Sequence, residues 1–266
     1  MYLHEYQSKQ YFARYGIPTA QGQIAISATG AREAAADFGV PVVINAQSLD
    51  SPRIFQLAHT PDEAEAAAAK LLGITVEDVP VRTVLIEPAV DVVQECFLGI
   101  YADRGSSLVF IASSEGGSEI SHIEREKQNT ITRETINPFL GVRDFQARNL
   151  ASGINLPREY WNAFIQIAQN LYRCCLACDA VRAEINPLAL TKSGELIALG
   201  GKLVIDDHAL FRQTELAALR DIKGEHESMV QARAADISYV PLEGQVGCIV
   251  SGAGLGMTTL DLLADY

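Results

Sequence analysis

The sequence VRAEINPLALTKSGELIALGGKLVI, at residues 181–205, predicts two β-strands joined by a tight turn. The strands cover 181–191 and 195–205, and a Lys-Ser-Gly turn at 192–194 separates them. Consecutive strands joined by so short a turn pair antiparallel. We therefore expect paired antiparallel strands in this half of the chain.

Outside this hairpin, strands and helices follow one another in a mixed order. Strands are predicted at 22–27, 41–45, 83–90, 96–103 and 107–113, and helices at 1–16, 31–39, 60–73, 158–178 and 210–221. The helix from Thr60 has a threonine N-cap followed by Pro61, and the turn Asp103–Arg104–Gly105 joins two of the strands. The early order is βαβ-like and the later strands pair with each other. These patterns predict an α/β fold of the α+β kind, with a body of about 220–235 residues.

A separate strand–turn–helix unit is predicted at 245–263, with the sequence QVGCIVSGAGLGMTTLDLL. Backbone N–H groups of Ser251, Gly252 and Gly254 would lie at the start of the helix, where they can bind an anion; a tight structural turn is the alternative. One strand and one helix cannot bury their own apolar faces. We therefore expect the stretch after about residue 240 to begin a second, doubly wound domain that something else must cover.

The composition excludes several classes of protein and partner. The chain has 266 residues, 48% of them hydrophobic and 20% charged, which is an ordinary globular balance. Its net charge of −12 disfavours nucleic acids and anionic membranes as partners. No apolar run approaches the roughly 20 residues that cross a bilayer, and the N-terminus lacks a signal-peptide pattern. The five cysteines predict reduced thiols and a cytoplasmic protein.

Two pairs of carboxylate or amide side chains are candidates for a binding site. Glu184 and Asn186 lie two residues apart on one strand, so they face the same way and can offer oxygen ligands to Mg²⁺. Glu87 and Glu95 lie at strand ends, where a carboxylate can accept hydrogen bonds from a nucleoside. The alternative for both pairs is an ordinary solvated surface. A third group, the cysteines at 174, 175 and 178, is better explained as core thiols than as a metal site.

Several segments in the same order closely resemble the β subunits of succinyl-CoA synthetases, which are nucleotide-dependent acid–CoA ligases. The matching segments are LHEYQxK and FxxYGIP at 3–18, the Ser113–Gly117 turn, EINPL at 184–188, GKL at 201–203 with ALFRQ at 209–213, and GxVGCxVxGAGL at 244–255. The resemblance implies an ATP-grasp domain at 1–237, with a smaller lobe at about 20–90 and a larger lobe formed by 1–19 and 91–237. It further implies that 238–266 is the incomplete beginning of a flavodoxin-like CoA-ligase domain.

The resemblance also implies a function and a set of partners. Members of this family join a small carboxylic acid to CoA through an acyl phosphate, using ATP or GTP and Mg²⁺. They work with an α subunit that binds CoA and carries a phosphorylated histidine. By position, Glu184 matches the glutamate that meets the phosphohistidine, Glu87 and Glu95 match nucleotide-contacting glutamates, and Asn186 matches a Mg²⁺ ligand. Ser251, Gly252 and Gly254 match the region near the carboxylate substrate, although the family has an asparagine at 251.

Three positions of the nucleotide site depart from the family. Asn45 replaces a lysine, residues 46–55 replace a glycine-rich basic loop, and Gly200 replaces a metal-binding aspartate. Within that loop, Asp50 adds a negative charge and Arg53 is the one cation, although Arg53 or Lys202 can partly compensate for the loss. Losing three contacts of about 1–3 kcal/mol each predicts an ATP affinity lower by several orders of magnitude. Two hypotheses follow: a β-type subunit of an acid–CoA ligase, or a degenerate homologue that does not bind ATP and serves as a scaffold or regulatory partner.

Overall fold

A computed structural model describes residues 1–50, 53–76, 78–102, 108–117, 130–242 and 244–265. The chain divides into two compact units, Met1–His226 and Glu227–Tyr266. The two units divide after residue 226, whereas the sequence predicts a domain boundary after residue 237. The assignment of the two parts to an ATP-grasp domain and a ligase domain stays a prediction. The predicted turn Asp103–Arg104–Gly105 lies outside the described residues.

A four-stranded antiparallel sheet forms the first half of the larger unit. Its strands are ordered β1–β6–β2–β3. They are β1 (Gln23–Ala25), β2 (Val42–Ala46), β3 (Phe55–Ala58) and β6 (Val84–Pro88). Helices α2 (Ala28–Phe38) and α3 (Pro61–Leu71) cover one face, and their alanines share a core with the sheet. The predicted cap at Thr60 is confirmed, since its hydroxyl accepts a hydrogen bond from the N–H of Glu63 at 3.1 Å.

A six-stranded antiparallel sheet forms the second half of that unit. The strand order is β11–β10–β7–β8–β9, and β12 pairs with the first part of β10. The strands are β7 (Val92–Ala102), β8 (Leu108–Ser113), β9 (Ile131–Ile136), β10 (Ala180–Thr191), β11 (Leu196–Ala198) and β12 (Gly201–Ile205). Helices α4 (Asp144–Gly153) and α5 (Trp161–Ala177) pack on this sheet around the larger core. Cys174, Cys175 and Cys178 are buried in that core, as predicted.

The N-terminal helix α1 (Glu5–Arg14) contacts both sheets. Its Ser8 hydroxyl accepts a hydrogen bond from the N–H of Leu203 at 3.1 Å, and its Lys9 ammonium reaches Glu87 on β6. Lys9 is buried because the polar side of the helix lies between the two sheets.

Two of the predicted elements are shorter or interrupted. The strand at 195–205 is divided into β11 and β12 opposite Pro187 of β10, because proline has no N–H to donate to the ladder. The helix at 210–221 shrinks to α6 (Thr214–Ala217) between two single 3₁₀ turns, Asp207–Ala209 and Ile222–Gly224. A small hairpin, β4 (Thr75–Val76) and β5 (Val79–Pro80), completes the unit.

The second unit contains helices α7 (Glu227–Ala234) and α8 (Ala253–Ala264). The predicted strand at 245–250 is absent, since those residues adopt no regular structure. A strand forms only where another strand satisfies its backbone N–H and C=O groups. The apolar side chains of α8 are largely exposed, including Leu255, Met257 and Leu262. Among the helices of the described residues, none is long and apolar enough to cross a membrane.

Candidate functional site

Glu87 lies on β6 and forms a buried ion pair with Lys9 of α1. The Lys9 ammonium also donates a hydrogen bond to the Leu199 carbonyl oxygen at 3.0 Å, so it joins the two sheets. Burial raises the pKa of the Glu87 carboxyl, and the charge of Lys9 opposes that shift. The glutamate expected to contact a nucleotide is therefore already engaged by a cation of the same chain.

Arg53 lies beside the same carboxylate. Its Nε is 3.2 Å from Glu5 Oε2, and its Nη2 is 3.9 Å from Glu87 Oε2. The guanidinium also stacks over the ring of Phe55, 5.4 Å from the centroid. The structure thus brings two predicted residues, Arg53 and Glu87, together. They belong to a group in which the cations Lys9 and Arg53 balance the carboxylates Glu5 and Glu87.

Asn45 lies on β2, two residues from Val43, which is the cross-strand partner of Glu87. Its side chain is buried, and neither amide atom has a hydrogen-bond partner among the described residues. A buried amide without partners costs about 1–3 kcal/mol of stability. At this position the side chain supplies no charge, and it forms none of the hydrogen bonds that would fix its orientation.

Glu184 is buried on β10 and is held by two neighbours. The Tyr101 hydroxyl and the Arg182 Nε–H both donate hydrogen bonds to its Oε1. Burial raises the pKa of Tyr101, and the Glu184 charge adds to the effect. For Arg182, burial acts to lower the pKa, but the hydrogen bond and the charge of Glu184 outweigh it and raise the pKa. The negative charge of the predicted catalytic carboxylate is therefore balanced by Arg182 of the same chain.

Asp50 joins the segment after β2 to the larger sheet. Its Oδ1 is 2.9 Å from Lys202 Nζ on β12 and 3.8 Å from Arg182 Nη1 on β10. Burial of Tyr2, together with its interaction with the same carboxylate, raises the pKa of Tyr2 to about 12. The backbone of Asp50 has φ 48°, a left-handed conformation that aspartate tolerates better than most residues. One carboxylate thus faces two cations of the other sheet.

Asn186 and Glu95 lie close to the turn that follows β8. The Gly117 N–H donates a hydrogen bond to Asn186 Oδ1 at 2.8 Å, and a Cβ added at Gly117 would lie 3.2 Å from Glu95 Oε2. Glu95 itself is exposed. The Leu199 N–H donates a hydrogen bond to the carbonyl oxygen of Pro187, the residue after Asn186, at 3.0 Å. The carbonyl oxygen of Leu199 accepts a hydrogen bond from Lys9, which pairs with Glu87. Glu87, Glu95 and Asn186 therefore belong to one continuous region of the first unit.

Gly200 packs directly against the backbone of this region. A Cβ at that position would lie 2.0 Å from the Asn186 carbonyl oxygen, far inside contact distance. No residue with a side chain fits there unless the backbone moves. In the described residues, no group of three or more His, Cys, Asp or Glu side chains has the arrangement of a metal site.

Ser251, Gly252 and Gly254 lie at the N-terminus of α8, in the second unit. Gly252 is the N-cap in an extended conformation, and added Cβ atoms at Gly252 and Gly254 would meet no atom within 4 Å. The three residues are exposed. Their role in binding an anion stays a prediction.

Several groups of the first unit's site were not predicted from the sequence. They are Lys9, Arg182, Tyr101, Tyr2 and the backbone of Gly117. Arg182 carried a signal, because it precedes Glu184 by two residues on one strand, where side chains share a face. Lys9 and Gly117 lie in segments that resemble the family, but nothing in those segments pairs them with Glu87 or Asn186. Tyr2 and Tyr101 reach the site from distant parts of the chain, so no local pattern marks them.

Comparisons with known proteins agree on one family. A family model described as an ATP-grasp domain matches residues 2–190. The chain is 43% identical over 269 residues to the succinate–CoA ligase [ADP-forming] subunit beta of Chloroflexus aurantiacus, covering 99% of this chain and 71% of that protein. It is 42% identical over 272 residues to the subunit of the same name from Roseiflexus sp., covering 100% of this chain and 72% of that protein.

Solved structures share the fold at low sequence identity. One is ATP citrate lyase from Methanothrix soehngenii in complex with citrate and coenzyme A, with a TM-score of 0.64 and 17% identity, covering 99% of this chain and 68% of that one. Another is acetyl-coenzyme A synthetase 1 from Ca. Korarchaeum cryptofilum, with a TM-score of 0.62 and 13% identity, covering 77% of this chain and 93% of that one.

Proposed function

Because the chain belongs to the succinate–CoA ligase β-subunit family, an acid–CoA ligase family with an ATP-grasp domain, we propose that it is the β-type subunit of such a ligase. In this role it works with a CoA-binding α-type subunit and serves a reaction on a small carboxylic acid. The sequence identity over almost the whole chain supports this proposal. The family uses a nucleotide and CoA, and CoA would be held by the partner.

The residues of this chain do not fit a magnesium-bound triphosphate in the way the family resemblance requires. A triphosphate needs unpaired cations and backbone N–H donors, because its charge must be offset. Asn45 offers an uncharged amide instead of an ammonium group. Gly200 has no ligand atom and no room for one. Asn186, the remaining predicted Mg²⁺ ligand, already accepts a hydrogen bond from Gly117.

The observation that carries this part of the proposal is the charge balance between the two sheets. Lys9 pairs with Glu87, Arg53 with Glu5, Arg182 with Glu184 and Lys202 with Asp50. Among the described residues of the site, these four cations are matched by four carboxylates, which lowers the positive potential available to a polyanion. This charge balance favours a second candidate function, a degenerate homologue whose nucleotide site no longer binds ATP and which serves as a scaffold or regulatory partner of the CoA-binding subunit.

Two measurements test the two parts separately. Calorimetric titration of Mg·ATP and Mg·GTP into the purified full chain is expected to give no heat of binding up to millimolar nucleotide. Micromolar binding of either nucleotide overturns the loss of the site. Co-expression with a CoA-binding α-type chain is expected to give one complex on size exclusion; separate elution at micromolar concentrations of both chains overturns the partnership.

A further inference from the structure

We propose that Cys174 and Cys178 form a two-coordinate thiolate site for a soft monovalent cation, Cu(I). The two thiols lie in the larger core of the first unit, at the last turn of α5, where this helix packs against α1. The site shares no ligand with the cleft, so the inference goes beyond the proposed function. The ligand class follows from the donors, because thiolates select soft cations such as Cu(I) over hard ones such as Mg²⁺.

The two thiols meet on one face of a helix. They are four residues apart, and residues at that spacing have Cβ atoms about 5–6 Å from each other. The Cys174 thiol donates a hydrogen bond to the Cys178 sulfur, and this bond holds the pKa of Cys178 below its ordinary value. Cys178 is thus the thiol that ionises first, and the thiolate is the form that binds a metal. A linear ion needs only these two donors, whereas a structural zinc needs four.

A buried hydroxyl beside the thiols has no partner. Tyr11 of α1 is 7% exposed, and its hydroxyl forms no hydrogen bond among the described residues. Burial raises the pKa of Tyr11, and the charges of Glu215 and Cys178 add to this shift, so the phenol lies near the Cys178 sulfur. A buried hydroxyl without a partner costs stability. A metal-bound thiolate would accept its hydrogen bond, and such outer hydrogen bonds support metal sites.

The charge around the thiols suits a bound monovalent cation. Binding of Cu(I) releases both thiol protons and leaves a complex with a single negative charge. The Arg14 guanidinium, after the Cys174 hydrogen bond, favours the ionised form of Cys178, while burial and Asp179 oppose it. Arg14 also pairs with Glu215, on the exposed side of the same region. A cation of the chain therefore already faces the charge that the complex would carry.

An ion can reach the thiols through the end of α5. Cys174 and Cys178 are 0% and 2% exposed, but Tyr15, which lies against both, is only half-buried. The helix ends at Cys178, and Leu176 and Ala177 beside it are exposed. Helix ends open locally at a small fraction of the cost of global unfolding. Fraying of this last turn would admit the ion.

The test titrates Cu(I) into the full chain carrying Cys248→Ser, since Cys248 is exposed and could bind Cu(I) by itself. Cu(I) is added under argon as its acetonitrile complex against the chelator bicinchoninate, without nucleotide or partner subunit. A single equivalent is expected to bind, with the ultraviolet charge-transfer absorption of a thiolate–copper bond. X-ray absorption at the copper edge is expected to show two sulfur ligands.

Three variants connect this binding to the proposed residues. Cys178→Ala should weaken Cu(I) binding at least about a hundredfold, because a lost ligand costs more than a lost outer hydrogen bond. Cys175→Ala is the matched control, since this equally buried thiol of α5 donates instead to the Ala180 carbonyl oxygen at 3.3 Å. The control should bind Cu(I) as its parent does. Tyr11→Phe should weaken binding about tenfold.

Several results would overturn the site. They are the absence of a bound equivalent in the parent chain, full affinity in Cys178→Ala, and equal losses in Cys178→Ala and Cys175→Ala. Unchanged affinity in Tyr11→Phe overturns the role of its hydroxyl. If circular dichroism shows that Cys178→Ala is unfolded, the parent chain decides, because any number of sulfur ligands other than two contradicts the proposal. The Mg·ATP and co-expression experiments stand or fall separately.

Discussion

The Lys9 ammonium and the Glu87 carboxylate form an ion pair that is almost completely withdrawn from water, with side chains 5% and 6% exposed. Lys9 comes from the first helix and Glu87 from the smaller sheet, and the Lys9 ammonium also donates to the carbonyl oxygen of Leu199, in the connection between β11 and β12 of the larger sheet. The pair therefore connects three parts of the fold. Removing only one partner leaves a buried charge without compensation.

Lys9→Met is expected to lower the free energy of unfolding by about 3–5 kcal/mol, because the Glu87 carboxylate loses its cation. Since burial already raises the pKa of Glu87, the loss should be smaller at pH 5 than at pH 8, where the uncompensated carboxylate is ionised. Urea denaturation at both pH values measures this. Lys192→Met, which breaks an exposed pair, serves as the control and should change stability by less than about 1 kcal/mol. Equal losses in the two variants would contradict the structural role of Lys9.

Restoring the family's aspartate at position 200 is expected to destabilise the chain rather than to rebuild a metal site. A side chain there meets the Asn186 carbonyl oxygen at 2.0 Å, so Gly200→Ala should already cost about 1–3 kcal/mol of stability, and Gly200→Asp at least as much. Gly73→Ala is the matched control, since its Cβ would make ordinary contacts at 3.5 Å. Urea denaturation compares the variants. A Gly200→Asp chain that is as stable as the wild type and binds Mg²⁺ would refute the proposed loss of the metal site.

Local chemistry explains why most elements of the first unit were predictable. The Thr60 cap, the Pro61 start and the alanine-rich interior of α3 act within a few residues of one another. The strand at 245–250 failed for the opposite reason, because a β-strand depends on a partner that a short sequence window does not contain. Pro187 could have predicted the interruption opposite it, since proline removes a ladder hydrogen bond.

The candidate site was predicted only in part. Glu184 and Asn186 were found because they share a face of one strand, and Glu87 because it lies near a strand end; the family resemblance then implied their roles. The structure shows what each contacts. The sequence did not reveal their partners, since Lys9 lies 78 residues from Glu87 and Tyr101 lies 83 residues from Glu184. Charge pairing over such separations follows from tertiary packing, which no local pattern records.

Asn45 is expected to destabilise the chain relative to an apolar residue of similar size. Both of its buried amide atoms lack partners among the described residues, so Asn45→Leu should raise the free energy of unfolding by about 1 kcal/mol. Asn170→Leu provides the contrast, because that amide donates to the Gly16 carbonyl oxygen at 3.0 Å and also bonds Arg173. It should lower stability by about 1–3 kcal/mol. Thermal and urea denaturation distinguish the two, and a loss of stability in Asn45→Leu would mean that the amide has a partner in solution.

Tyr2 reports on the Asp50 carboxylate. Burial and the hydrogen bond to Asp50 raise the pKa of Tyr2 from its ordinary value of 10 to about 12. A pKa that is higher in the folded chain favours folding below pH 10, and this contribution is lost as the pH rises from about 10 to about 12. The difference in tyrosinate absorbance between wild type and Tyr2→Phe should therefore titrate near 12. In the Asp50→Asn background the same difference should move towards 10, because the negative charge that holds the phenol proton is gone. An unchanged midpoint in that background would show that burial alone sets the pKa of Tyr2 and that Asp50 does not hold its hydroxyl.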